Sequence, residues 1–138
     1  MSIYRTPNLF NFNMFLRKLE QLLKKLSRSS NSKNIYIAGD FNVDVLESTS
    51  QPRHKAEFLS LIEMYGFQVN CSLPTRITST TQSCIDNIIS LKLYPENKIT
   101  TMNLELGLSD HRALFLNITS EKSSNYAKKQ ISKKRIFS

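Results

Sequence analysis

Little in this chain points to a disulfide-held, secreted or membrane-spanning protein. It has two cysteines, Cys71 and Cys84, without CxxC spacing or a histidine cluster nearby. That argues against a disulfide framework and a zinc site and leaves reduced thiols. No window approaches the roughly 18 consecutive apolar residues of a membrane helix. The opening Met1-Ser2-Ile3-Tyr4-Arg5 lacks the apolar core and cleavage site of a secretory signal. The expected setting is therefore intracellular, with no membrane partner. Acidic residues are scarce at both ends. Residues 1–30 hold six basic residues against one acidic (+5), and residues 121–138 again six against one (+5). Residues 31–120 hold seven against nine (−2), which completes the net charge of +8. A phosphate polyanion suits such ends, because lysine and arginine release condensed counterions on contact. Plain solubility is the alternative, since helix faces and tails are often basic without any ligand.

What is present is enough for one domain: 138 residues, 40% of them apolar. Residues 2–5 read as a short strand, followed by Thr6 as N-cap and Pro7 as first helical residue. Leu9, Phe12, Phe15, Leu16, Leu19, Leu22, Leu23 and Leu26 then recur at three- and four-residue steps. That spacing predicts an amphipathic helix with Arg17, Lys18, Lys24 and Lys25 mainly outward. Ser27 to Ser32 is expected to end it as a polar loop. Asn34 to Ala38 reads as a buried strand, after which Gly39 starts a turn presenting Asp40 and Asn42. A second helix is expected over about Arg53 to Tyr65, stopped by a left-handed Gly66. Short strands are expected around 67–70, 84–90, 100–105 and 113–119, with 72–83 a loop. Beyond Ser120 apolar density drops, and 121–138 reads as a flexible basic tail or linker. No internal repeat is visible, and strands interleaved with helices indicate an α/β or α+β sheet domain.

Three stretches carry groups suited to chemistry. In Gly39-Asp40-Phe41-Asn42, a carboxylate and an amide two residues apart can accept from a water and donate to a phosphate oxygen, or simply make a turn. In Ile85-Asp86-Asn87-Ile88, a carboxylate amid apolar residues needs a partner such as a histidine or a cation, unless it lies on a solvated face. Ser109-Asp110-His111 sets an imidazole beside a carboxylate, fit for proton transfer or for holding a phosphoryl oxygen, or for a plain loop hydrogen bond. The other histidine, His54, lies between Arg53 and Lys55 at a helix start and is expected to be exposed.

In this order, the three stretches resemble the GDFN, IDxI and SDH signature of the endonuclease/exonuclease/phosphatase superfamily. Within it, the chain is most similar to the apurinic-type endonuclease domain of non-LTR, LINE- and jockey-like retrotransposons. The opening Ile3-Tyr4-Arg5-Thr6-Pro7, the segment Pro74-Thr75-Arg76 and the end Lys133-Lys134-Arg135-Ile136-Phe137 add to that likeness. The resemblance implies a partial four-layer α/β sandwich with the first half of the domain missing. Residues 1–120 would be its C-terminal portion and 121–138 the start of a linker to a reverse transcriptase. It implies Mg²⁺- or Mn²⁺-dependent cleavage of DNA, in the nucleus. By the same resemblance, Tyr4 and Asn42 contact the scissile phosphate, Asp40 orients or activates the attacking water, and Asp86 fixes the tautomer of His111. His111 then stabilises charge on the phosphoryl oxygens, Asp110 helps bind the metal with Asp40, and Arg76 is a weaker substrate-binding candidate. The family's first half supplies a phosphate-binding Asn and the main metal-ligand Glu, and Glu20 cannot stand in for the latter. Impaired activity is therefore expected, as is a broad apolar face left bare on the remaining sheet. The alternatives are an inactive retrotransposon-derived fragment and a non-specific nucleic-acid-binding remnant.

Overall fold

Four short strands form the sheet that organises the molecule, and two helices cover one of its faces. A computed structural model describes residues 1–8, 11–28, 34–91 and 97–120. The elements in chain order are β1 (Ser2–Tyr4), α1 (Phe12–Arg28), β2 (Tyr36–Asp40), α2 (Pro52–Met64), β3 (Phe67–Val69), β4 (Arg76–Ile77), β5 (Gln82–Ser83), β6 (Asp86–Leu91), β7 (Asn97–Leu104) and β8 (Ala113–Ser120). The main sheet runs β1-β2-β6-β3, with β1 parallel to β2 and the other pairs antiparallel. β4 and β5 form a small hairpin, and β7 and β8 a separate two-stranded ribbon. This is the mixed α/β architecture expected. The tail over 121–138, the loop after Arg28 and Leu9 lie outside the described residues.

Alternation along the strands separates the two faces of the sheet. Ile37 opposes Ile89, and Val69 opposes Ile89 from the other side, so these three share one face. On that face they meet Leu19 and Leu23 of α1 and Phe58 and Ile62 of α2 in the core. Cys71 and Cys84 are buried in the same cluster as free thiols, as the sequence implied. α2 closes as expected, with Gly66 at φ 78° and its N–H donating to the Glu63 carbonyl at 2.9 Å.

Several boundaries differ from expectation, each for a visible reason. α1 begins at Phe12, so Pro7 is not its first residue. The buried Arg5 side chain donates to the Asn8 carbonyl, which holds the segment before the helix as a loop. Gly39 lies within β2 and does not start a turn. Its place is set by close approach, since a Cβ there would come within 1.9 Å of the Ile3 carbonyl oxygen in β1. The expected loop over 72–83 contains the β4–β5 hairpin. Its Ser/Thr richness builds the turn: Thr78 Oγ1 accepts from the N–H groups of Thr80 and Thr81. Asp86 is the first residue of β6, not an interior one, because the N–H groups of Ile85 and Asp86 both donate to Thr75 Oγ1. His54 is half-buried against the Phe12 ring, with centroids 4.0 Å apart.

The bare apolar face is also elsewhere. The sheet face away from the helices carries Asp40, Asp86, Ser90 and Gln68 beside Ala38 and Ile88, so it is mixed and not broadly apolar. Exposed apolar side chains gather on the ribbon, where Met102 opposes Phe115 at 55% and 46% exposure. Leu104, Leu106 and Leu108 follow along the chain, also exposed.

Candidate active site

The sheet brings the first two motifs together through register alone. Asp40, last in β2, pairs with Asp86, first in β6, so both carboxylates stand side by side on the face away from the helices. Burial raises the Asp40 pKa, and the negative charge of Asp86 adds to that. The Asn42 N–H, donating to Asp40 Oδ1 at 2.9 Å, and the charges of His111 and Arg76 work the other way. On the neighbouring strand Tyr4 is in register with Asp40, and its side chain is 70% exposed on the same face.

The third motif arrives by docking on the small hairpin. Arg76 forms a β-bridge with His111, the Ile77 N–H donates to the Asp110 carbonyl, and the Arg112 N–H donates to the Thr75 carbonyl at 2.7 Å. Ser109 Oγ accepts the His111 N–H and tightens the loop. Together these contacts place His111 Nδ1 at 2.9 Å from Asp86 Oδ2. Asp40, Asp86 and His111 each offer a ligand atom within 4.8 Å of the others. Beside them is a recess of about 240 Å³ lined in part by Ala38, Ile88, Arg112 and Leu114.

Two motif residues point to other partners. Asp110 is exposed and ion-paired with Arg76 Nε at 2.6 Å, which holds its carboxyl below the usual range. Asn42 has a left-handed φ of 48°, a conformation asparagine tolerates better than most residues. Its Nδ2 donates to the Arg5 carbonyl, using one of two amide hydrogens.

Sequence reasoning missed the groups that hold this arrangement in place. Arg5 is 7% exposed, and its Nη1 donates to the carbonyls of Phe41 and Asn42 while its guanidinium lies over the rings of Phe12 and Phe15. Asp44 Oδ1 accepts the N–H groups of Cys84 and Leu46. Asn87 Oδ1 accepts from Asn70 and Cys71, and its Nδ2 donates to the Cys71 carbonyl. The signal for Asn87 was available: a polar residue in an apolar strand, one step from Asp86 and so on the opposite, core-facing side.

The family model of endonuclease-reverse transcriptases matches residues 1–115. The chain belongs to this endonuclease-reverse transcriptase family. Its fold is similar to the endonuclease domain of TRAS1, a telomere-specific non-LTR retrotransposon, with a TM-score of 0.60 and 19% identity over 86% of this chain. It is similar also to an endonuclease/exonuclease/phosphatase family protein from Bacteroides thetaiotaomicron, with a TM-score of 0.56 and 16% identity over 85% of this chain. A third likeness is to a protein of the same family from Leptotrichia buccalis, with a TM-score of 0.50 and 19% identity over 71% of this chain. The matches span 56%, 48% and 41% of those structures respectively, so the chain corresponds to about half of each. No curated protein matches it. The family thus gives a nuclease or phosphodiesterase type of domain, and no described helix is long and apolar enough to cross a membrane.

Proposed function

We propose that the chain contributes to metal-dependent hydrolysis of a DNA phosphodiester, as the endonuclease portion of a longer nuclear protein that also carries a reverse transcriptase. The observation that carries this reading is the cluster of Asp40, Asp86 and His111 at adjacent strand ends. Its donor set fits Mg²⁺ or Mn²⁺. Two carboxylates offer hard oxygen ligands, and the like charge of Asp86, which adds to the effect of burial in raising the Asp40 pKa, is of the kind a divalent cation relieves. When bound, such a cation supplies charge neutralisation for the phosphate.

Asp40 orients the attacking water and takes its proton. Asp86, on Nδ1 of His111, fixes the tautomer and leaves Nε2 for a phosphoryl oxygen. The Tyr4 hydroxyl and the remaining Asn42 amide hydrogen donate to the phosphate. Arg76 and Asp110 hold each other until substrate arrives. Parting them frees the guanidinium for a phosphate oxygen and the carboxylate for the cation.

Supercoiled-plasmid nicking tests the reading. With Mg²⁺ or Mn²⁺ the chain is expected to nick at an impaired rate, and Asp40→Ala with His111→Ala to lower that rate by about 10²-fold or more. Nicking that survives the double substitution refutes the assignment. A second reading is DNA binding without turnover, favoured by the match to about half of each solved structure and by the Arg76–Asp110 pair. Salt-sensitive binding with no metal-dependent nicking would select it.

A further inference from the structure

The cations of α1 are arranged unlike those elsewhere in the molecule. At about 100° per residue, Arg17, Lys18, Lys24, Lys25 and Arg28 fall within roughly a third of the helix circumference. That arc lies opposite the buried Phe12, Leu19 and Leu23. All five are exposed, and Arg17 to Arg28 extends along about 16 Å of helix. Glu20, the single acid of α1, sits outside the arc and accepts the Tyr65 hydroxyl. Elsewhere, Arg53, Lys55, Arg76 and Arg112 each face a carboxylate within 4.0 Å. Among the described residues, Arg17, Lys18, Lys24 and Arg28 have no carboxylate at that distance.

Helix stability does not require this pattern. Lys25 and Arg28 in the last turn suit the macrodipole and Glu20 stands four residues before Lys24, but Arg17 and Lys18 lie near the middle, and Lys24 with Arg28 is a repelling i,i+4 pair. A row of cations on a rigid helix, four of them with no carboxylate within 4.0 Å, is complementary to a phosphodiester backbone. α1 also covers the sheet face opposite the one that carries Asp40 and Asp86.

We propose that the outer face of α1 is a second, sequence-independent nucleic-acid surface that grips the backbone of duplex DNA on the side away from the Asp40–His111 cluster. It goes beyond the hydrolytic reading and does not depend on turnover. A duplex held there would keep the chain on DNA while the cluster engages another segment, so that the second contact forms at high effective concentration.

The test is anisotropy of a labelled duplex with the full chain, in EDTA, over about 50 to 200 mM salt. Arg17→Gln with Lys24→Gln removes two unmatched cations, and Arg53→Gln with Lys55→Gln removes two matched ones at the same cost in net charge. The α1 variant is expected to flatten the plot of log K against log salt by roughly 2, and the matched-cation variant by well under 1. Equal changes in the two variants, or an unchanged slope in the α1 variant, overturn the proposal. Circular dichroism checks that both remain folded. Asp40→Asn with His111→Gln is expected to keep the native slope while any nicking is lost, which separates this surface from the cluster. Loss of DNA binding in that variant alone would place the duplex at the cluster and overturn the proposal. Tighter binding to phosphatidylserine vesicles than to DNA would do the same.

Discussion

Two residues decide the character of the site, one carrying its charge and one holding its backbone. Asp40 has a pKa raised by burial and by Asp86, so the fold favours its protonated form. That preference stabilises the fold at low pH and is lost as pH rises through the raised pKa. At neutral pH the ionised carboxylate is therefore a burden on stability. Asp40→Asn keeps an acceptor for the Asn42 N–H and removes the charge. It is expected to raise Tm at pH 7 by a few degrees, the gain shrinking as pH falls through the raised Asp40 pKa and the carboxyl also becomes neutral. Thermal melts across that range would show it, and a gain that grows on acidification would contradict it. Arg5 acts without touching the cluster, through the carbonyls of Phe41 and Asn42. Arg5→Met retains much of the contact with Phe12 and Phe15 but leaves those carbonyls without their donor, at about 1–3 kcal/mol. Arg5→Lys is expected to recover part of that loss in a urea melt; equal losses would mean that charge and hydrogen bonding at this position are immaterial.

At the scale of elements, β1 is the most vulnerable piece. It is three residues long and meets β2 where Gly39 faces Ile3. Gly39→Ala drives a methyl group into the Ile3 carbonyl, so β1 must shift or detach and carry Tyr4 away from Asp40. A loss of roughly 2 kcal/mol or more is expected in a urea melt, with faster hydrogen exchange at Ala38, whose N–H donates to the Met1 carbonyl. Native-like stability would show that β1 yields without cost. Helices and strands were largely legible because hydrophobic spacing marks buried faces: Phe12, Leu19 and Leu23 of α1, Ile37 of β2 and Ile89 of β6 all reach the core. The Asp86–His111 contact was legible only by family resemblance, because 25 residues separate the two. The Arg76–Asp110 pair and the Thr75 hydroxyl under Asp86 were not legible at all. Both depend on the hairpin of β4 and β5, which is two residues a side and leaves no periodic trace.

The whole molecule has three differently dressed surfaces: helices bearing cations, a sheet face bearing acids, and a ribbon bearing exposed apolar groups such as Met102 and Phe115. Charge totals along the chain separated the first two, whereas the third depends on which face of a two-stranded ribbon turns outward. Whether a strand residue joins the core or the acidic face rests on parity in one antiparallel pairing, Ile37 with Ile89 and Asp40 with Asp86. Length changes are therefore not equivalent across the chain. Between β2 and β6, 45 residues pass through a helix, the edge strand β3 and a hairpin, and an added residue in the loops between them costs little. One residue gained or lost inside either strand would turn its carboxylate toward the leucines and take Ile37 or Ile89 out of the core. Drift in chain length can thus accumulate in the connections of this domain, while the two strands act as a fixed odd–even frame that tolerates changes only in steps of two.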